Sequence, residues 1–274
     1  MSDVAKERID RACAYGDGLF ETIAIRDNKP RLWPLHEMRL RTGCSRLGLP
    51  CPPAEVLLAE LESAIAAAEF AAEFATAKLT LSAGNSRRGY RRDTDAASLV
   101  HIAVYPARRL SARQYEEGVV CRLCSTRLGV QPLLAGIKTL NRLEQVLARA
   151  EWSDPAVFEG FTLDTAGRLI CGTMSNVFIV KESVVITPAI TRCGVSGVMR
   201  HHLIGLLRSE QHIECEVRDV AAHELSAADE VFISNSQFGV LPVNACMASQ
   251  WQVGPVTRLA QTVAAANGFN ECVQ

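Results

Sequence analysis

The sequence reads as an α+β protein of two domains: a small α+β domain over residues 1–106, a linker at 107–113, and a larger, mainly β domain over 114–274. Three observations carry this reading. A length of 274 residues is enough for two separate cores. Alternating strand patterns and helical periods succeed one another through the first hundred residues, whereas strand patterns dominate the rest. Between the two regions, a short polar stretch follows Pro106 and is the best candidate for a boundary.

In the first region, Tyr15-Gly16-Asp17-Gly18 forms a glycine turn ahead of the alternating run Leu19-Phe20-Glu21-Thr22-Ile23-Ala24-Ile25. Asp27-Asn28-Lys29-Pro30 then closes a hairpin onto a strand at 31–33. Leu35, Met38, Leu40 and Leu47, interleaved with Arg39, Arg41 and Arg46, give an amphipathic helix that Pro50, Pro52 and Pro53 stop. Residues 54–74 are rich in Ala, Leu and Glu, which lose little freedom in a helix. Strands follow at 78–83 and 99–105, on either side of the turn Gly84-Asn85-Ser86-Arg87-Arg88-Gly89-Tyr90-Arg91-Arg92. Residues 1–9 are too polar to read as a strand.

Beyond the linker, strands are expected near 119–124, 158–164, 169–171, 177–180, 184–187, 214–218 and 230–234. Two main helices, at 139–152 and 198–209, interrupt them. In the first, Leu140, Leu143 and Leu147 are expected to mark a buried face.

A formal net charge of -1 and a pI near 6.6 provide no basic footprint for nucleic acid or an anionic membrane. No signal-like start and no apolar run long enough to span a bilayer is visible, so the expectation is a soluble cytoplasmic protein. The ten cysteines mostly sit in apolar runs and read as free buried thiols. Cys121 and Cys124 form a CxxC, but no second pair or spaced histidines accompany it, so a metal centre is not expected.

Five lysines make the search for a nucleophilic amine short. Lys6, Lys29 and Lys181 fall in polar or turn segments, and Lys78 lies at the start of a strand and can face either side. Lys138 alone sits between a glycine-containing apolar loop and a helical pattern, surroundings that lower an amine's pKa. From spacing alone it is either a structural surface lysine or a Schiff-base nucleophile. Gly194-Val195-Ser196-Gly197 ahead of the run from Val198 and Met199 is either a turn or an anion cradle at a helix N-terminus. Ser236, in Ser234-Asn235-Ser236-Gln237, is either a turn hydroxyl or a second phosphate contact. Arg39, on the polar face of the first helix, is a spare cation for the same anion or simply solvated. Adjacent His201 and His202 read as helix-surface residues.

Taken in order, five stretches resemble the fold-type IV class of pyridoxal-phosphate enzymes. They are Tyr-Gly-Asp-Gly-Leu-Phe-Glu-Thr at 15–22, His36 with Arg39-Leu40, Gly-Ile-Lys-Thr-Leu-Asn at 136–141, Ser-Asn-Val-Phe at 175–178 and Gly-Val-Ser-Gly-Val-Met-Arg at 194–200. That class contains branched-chain and D-amino-acid aminotransferases and 4-amino-4-deoxychorismate lyases. Arg88-Gly89-Tyr90 and Leu140-Asn141-Arg142-Leu143-Glu144-Gln145-Val146 look most like the lyases. The D-amino-acid branch has a tyrosine where Phe20 stands, and an Arg-x-His carboxylate trap that here lacks its histidine.

The resemblance implies elimination from 4-amino-4-deoxychorismate to 4-aminobenzoate and pyruvate, on the route to folate, by a homodimer with the cofactor between its two domains. It implies that Lys138 holds the cofactor aldehyde as a Schiff base and then moves a proton. Arg39, the backbone of Val198 and Met199, and Ser236 would hold the phosphate, with Asn176 in the same motif set. Phe20, Arg88, Tyr90 and Arg91 would meet the substrate, the arginines through its two carboxylates. Five residues before Asn176, where the class has a glutamate on the pyridine nitrogen, this chain has Cys171. The alternatives this leaves are a D-amino-acid or branched-chain aminotransferase and a catalytically weakened homologue that binds the cofactor.

Overall fold

The structure is a computed structural model, and it describes residues 9–70, 74–86, 89–93, 97–209, 211–269 and 272–273. Contacts divide the chain into two compact units. The first runs to Ala107 and also takes in Ile137–Asn141; the second comprises Arg108–Gly136 and the chain from Arg142 onward.

The first unit is built on a four-stranded antiparallel sheet of β1 (Gly18–Arg26), β2 (Lys29–Pro30), β3 (Phe74–Ser82) and β4 (Leu99–Pro106), in the order β2-β1-β3-β4. Asp27 and Asn28 both have positive φ, the left-handed conformation that a two-residue hairpin turn demands and that Asp and Asn tolerate. Period-two alternation places Leu19, Ile23 and Ile25 of β1 with Ala75, Ala77, Leu79 and Leu81 of β3 on one fully buried face. Helices α1 (Trp33–Leu47) and α2 (Ala54–Ala66) contribute Leu40, Cys44, Leu57, Leu61 and Ile65 to the buried core. Gly48, at φ 64°, ends α1 by donating its N–H back to the helix.

Helix α2 is shorter than its alanine content suggests. Residues 74–77 join β3 because β1 is nine residues long and pairs with β3 from Arg26↔Phe74 to Gly18↔Ser82, which outweighs helix propensity. Ile9–Asp10 also pairs with Asn85–Ser86, where no strand was expected.

In the second unit, one mixed sheet runs through β5 (Val119–Leu128), β6 (Val157–Asp164), β7 (Arg168–Gly172), β8 (Asn176–Lys181), β9 (Val184–Pro188), β10 (Cys215–Arg218), β11 (Glu230–Asn235) and β12 (Gly239–Cys246). Its order is β10-β9-β8-β11-β12-β5-β6-β7, with Val220–Ala221 on the β7 edge and Ser249–Gln250 beside β12. Three pairs are parallel: β9 with β10, β12 with β5, and β5 with β6. The core between strands contains Phe161, Leu163, Val177, Ile179, Val231, Ile233, Leu241 and Val243. The stretch after Pro106 carries Leu110–Ser111, paired in parallel with Cys272–Val273, and a short helix, Ala112–Glu116, whose Ser111 and Gln114 form a capping box.

Among the described residues three main helices, not two, accompany this sheet: α3 (Leu143–Arg149), α4 (Val198–Ser209) and α5 (Pro255–Ala266). Helix α5 has a legible start in Gly254-Pro255, and buried Glu230 accepts from its first N–H groups, Val256 at 3.2 Å and Thr257 at 2.7 Å. Helix α3 is half the expected length, and its leucines do not form a buried face: Leu143 and Leu147 are 76% and 61% exposed. No helix among the described residues is long and apolar enough to cross a membrane.

One buried charge cluster sits on the core face of the first sheet. Glu21 of β1 accepts from Arg39 Nε at 2.8 Å, again from the same guanidinium through Oε2, and from His36 Nδ1 at 2.6 Å. Burial alone raises this carboxyl, but the Arg39 charge and the His36 hydrogen bond overcome it and bring the pKa to about 2. Burial holds His36 below its ordinary value, against the pull of Glu21, so the ring is neutral at pH 7. Arg39 is therefore neither spare nor solvated; it is the charge partner of a buried carboxylate.

Both shifts are depressions, so both groups contribute stability that is present above their unfolded pKa values and is lost on acidification. His36 loses its share below about 6.5, and Glu21 loses a share on the order of 3 kcal/mol as pH falls from 4.5 to about 2. Urea unfolding of Glu21→Gln beside the wild type is expected to show a stability gap of that order near neutral pH which closes toward pH 2. A gap independent of pH would contradict the assignment.

Candidate active site

Lys138 stands in extended chain, not at a helix start. Residues 137–141 add a rung to the outer edge of β1: Leu19 pairs antiparallel with Thr139, Phe20 N–H donates to Lys138 O at 2.9 Å, and Leu140 N–H donates to Gly18 O at 3.0 Å. Asn141 Nδ2 donates to Gly16 O at 3.0 Å. Gly16 has φ 63°, and a Cβ there would lie 2.7 Å from Asn141 Oδ1, so only glycine fits. Ile137 and Thr139 are each 1% exposed, which fixes the backbone on both sides of a half-buried Lys138. Its amine lies 4.4 Å from the centroid of the Phe20 ring. The other lysines differ: Lys29 is exposed in the hairpin, Lys181 is paired with Asp229 at 2.8 Å, and Lys78 is exposed in the middle of β3.

The arginine-rich turn is held from below. Buried Arg11 donates to Asp17 at 2.7 Å, to Ser86 Oγ at 3.0 Å and to the carbonyls of Gly89 and Tyr90, both at 2.9 Å. Arg92 Nε also donates to Asp17, at 2.9 Å, and Tyr15 Oη accepts from Gly89 N–H at 3.0 Å. Burial raises the Asp17 carboxyl, yet Arg92 and Arg11 together hold it below its ordinary value. Arg92 is thus structural. Tyr90 and Arg91 are exposed on this turn, Tyr90 at 87%, and Arg88 lies outside the described residues.

In the second unit, the glycine loop leads into α4 as its spacing suggests. Gly136 N–H donates to Gly194 O, and Ser196 N–H to Gly136 O, both at 3.0 Å. Asn176 Nδ2 donates to Val195 O at 3.0 Å. The glycines are required by space: a Cβ on Gly197 would meet Asn176 Oδ1 at 2.0 Å, and one on Gly194 would meet Ile170 Cγ2 at 2.7 Å. Val198 and Met199 open α4 with buried side chains, and the N–H groups of a first turn have no acceptor inside their helix. Buried Ser234, opposite Asn176 in the sheet, has a hydroxyl with no hydrogen-bond partner among the described residues. Ser236 lies in the turn where Asn235 Oδ1 accepts from Gln237 and Phe238 N–H.

Cys171, on β7, is buried in an apolar cluster with Leu128, Ile170 and Cys193. Burial pushes its thiol up to about 11, against the lowering influence of Thr162, Arg142 and the Val195 N–H, so it is uncharged at neutral pH. Cys121 and Cys124 are likewise buried and raised, Cys124 to about 12, and the described residues contain no cluster suited to a metal ion.

Three structural residues here were missed in sequence. Fully buried Glu159 accepts from Gly160 N–H (2.8 Å), Thr173 N–H (3.0 Å) and Oγ1 (2.6 Å), Met174 N–H (3.1 Å) and Ser175 Oγ (2.7 Å), and so shapes the turn ahead of Asn176. A lone acid flanked by Phe158, Phe161 and Leu163 was the available signal. Arg11 and Asp17, the pair beneath the arginine turn, are 6 residues apart and carried no comparable signal.

Residues 18–246 match the amino-transferase class IV family. An aminodeoxychorismate lyase of Vibrio harveyi is 36% identical over 258 residues, which is 92% of this chain and 93% of that protein. A crystal structure of 4-amino-4-deoxychorismate lyase from Pseudomonas aeruginosa superposes with a TM-score of 0.89 at 40% identity, covering 99% of this chain and 97% of the other. A D-alanine aminotransferase of Bacillus licheniformis is 26% identical over 95% of this chain and 91% of its own length. With that match along most of its length, and with the α+β two-domain architecture of its relatives, the chain belongs to the amino-transferase class IV family.

Proposed function

We propose that this protein is a pyridoxal-phosphate-dependent 4-amino-4-deoxychorismate lyase, which forms 4-aminobenzoate and pyruvate. The observation that carries the reading is Lys138, a half-buried amine fixed by backbone bonds to β1 and set over an aromatic ring, in a chain 36% and 40% identical to two such lyases.

The residues present suit the cofactor. Two glycines where any Cβ would clash, a helix N-terminus behind them and the partnerless hydroxyl of Ser234 make a lining for a phosphate. In this reading the N–H groups of Val198 and Met199 would bind the phosphate with Ser236, and Asn176 holds the loop that presents them; Arg39, engaged by Glu21, is not among these contacts. When bound, the cofactor supplies an aldehyde and a conjugated ring that draws electrons from the carbon bearing nitrogen. Lys138 would supply the amine that holds the aldehyde, and the same amine, when free, would be the base that takes the proton from that carbon. The Phe20 ring shields one side of this amine from water. Arg88, Tyr90 and Arg91 remain assigned to the substrate's carboxylates as part of the same proposal.

Cys171 sets the balance between activities. An uncharged thiol at this position would not hold a proton on the cofactor's ring nitrogen as a carboxylate would, so electron withdrawal would be weaker than in a transaminase. Elimination yields an aromatic product, and that gain lowers the demand on the ring. The reading therefore favours lyase over the aminotransferase activity carried by other relatives.

We also propose a cytoplasmic homodimer. Leu143, Val146 and Leu147 make an exposed apolar stripe at helical spacing on α3. Exposed Val130 and Leu133 follow Gly129, whose N–H donates to Glu144 of the same helix at 2.7 Å. A second copy of the chain is the occupant that suits this stripe.

Two experiments test these readings. Holoenzyme supplied with 4-amino-4-deoxychorismate is expected to release 4-aminobenzoate and pyruvate faster than it transaminates D-alanine or a branched-chain amino acid with a keto acid, and Cys171→Glu is expected to move that ratio toward transamination. Transamination outpacing elimination in the wild type would overturn the assignment. For the dimer, light scattering should give twice the chain mass for the wild type and the single-chain mass for Leu143→Glu/Leu147→Glu; a monomeric wild type would defeat it.

A further inference from the structure

We propose that Lys78 is a carboxylate-binding residue beside Lys138, and that it selects an acidic substrate. This rests on the lyase reading for the substrate's identity but not for its charge. The two faces of the first sheet differ sharply. One is the apolar core. The other carries Phe20 and Thr22 from β1, Lys78 and Thr80 from β3, and His101 and Ala103 from β4, with the registers Phe20↔Thr80↔His101 and Thr22↔Lys78↔Ala103 placing them side by side. Lys78 and His101 are exposed, while Phe20, Thr22, Thr80 and Ala103 are half-buried.

The Lys78 amine lies 5.4 Å from the centroid of the Phe20 ring, the same ring that carries the Lys138 amine at 4.4 Å. One aromatic side chain thus brings together two lysine amines from separate segments. No residue of β1, β3 or β4 on this face is acidic: the remaining positions are Gly18, Ala24, Arg26, Phe74, Thr76, Ser82, Leu99 and Tyr105. Among the described residues Lys78 has no ion-pair or hydrogen-bond partner, in contrast to Lys181 with Asp229. Lys78 therefore presents a cation on a face whose strands supply no acid to neutralise it, and an anion that binds there gains a charge-assisted hydrogen bond. Thr80, two residues along β3 on the same face, offers a neutral donor to the same anion. A carboxylate on the substrate fits this chemistry, and an uncharged substituent does not.

The test uses cofactor-loaded wild type, Lys78→Met and Lys78→Arg, each checked for unchanged visible absorbance of the bound cofactor. Binding of 4-aminobenzoate and of its uncharged methyl ester is measured by calorimetry, alongside KM and kcat with 4-amino-4-deoxychorismate. Lys78→Met is expected to weaken 4-aminobenzoate by about tenfold or more, leave the methyl ester where it was, and lose kcat/KM chiefly through KM; Lys78→Arg should recover most of the loss. Equal affinity of wild type and Lys78→Met for 4-aminobenzoate would overturn the proposal, as would an equal loss for acid and ester. If the wild type fails to turn over 4-amino-4-deoxychorismate yet shows the Lys78-dependent preference for the acid, the carboxylate site stands and the lyase reading falls.

Discussion

Two backbone hydrogen bonds, Phe20 N–H to Lys138 O and Leu140 N–H to Gly18 O, are the constraint on which the candidate site depends. They turn a connecting segment into an extra rung of the first sheet. A lysine on a mobile loop would have to be ordered before it could react, at a cost of about 1–2 kcal/mol per residue of backbone; here that ordering is part of the fold. The same rung explains why Gly16 must be glycine, why Thr139 is buried, and why the amine at 138 lies over Phe20.

The second unit shows the complementary strategy, in which buried polar groups shape backbone for a ligand. Glu159 receives five hydrogen bonds and sets the turn before Asn176; Asn176 then bonds the loop between Gly194 and Gly197. Each of these groups is satisfied within the protein, which is what burial requires. The hydroxyl of Ser234 departs from that rule, and it lies opposite Asn176. In the first unit Glu21, His36 and Arg39 form a comparable buried group on the core face of β1, one residue along from Phe20 on the opposite face.

Much of this was legible in the sequence because it rests on local rules. Alternation located most strands, and the helix from Val198 to Ser209 followed from its glycine entry and apolar spacing. The failures are equally physical. Residues 139–141 follow a helical pattern yet are drawn into extended chain by β1, a non-local pairing that no window contains. The leucines of α3 have the period of a buried face, but periodicity identifies an apolar stripe without saying what covers it. Arg39 looked like a free cation because its partner, Glu21, is on a strand 18 residues earlier. The strand at Gly239–Cys246 and the helix at Pro255–Ala266 carry only ordinary local signals.

The central claim is that Lys138, among the lysines of this chain, carries the cofactor. Borohydride reduction of the pyridoxal-phosphate-loaded protein, followed by proteolysis and mass spectrometry of the labelled peptide, tests it directly. The account predicts a single phosphopyridoxyl group on Lys138 and none on Lys78, although both amines face the same ring. A label on Lys78, or none on any lysine, would contradict it.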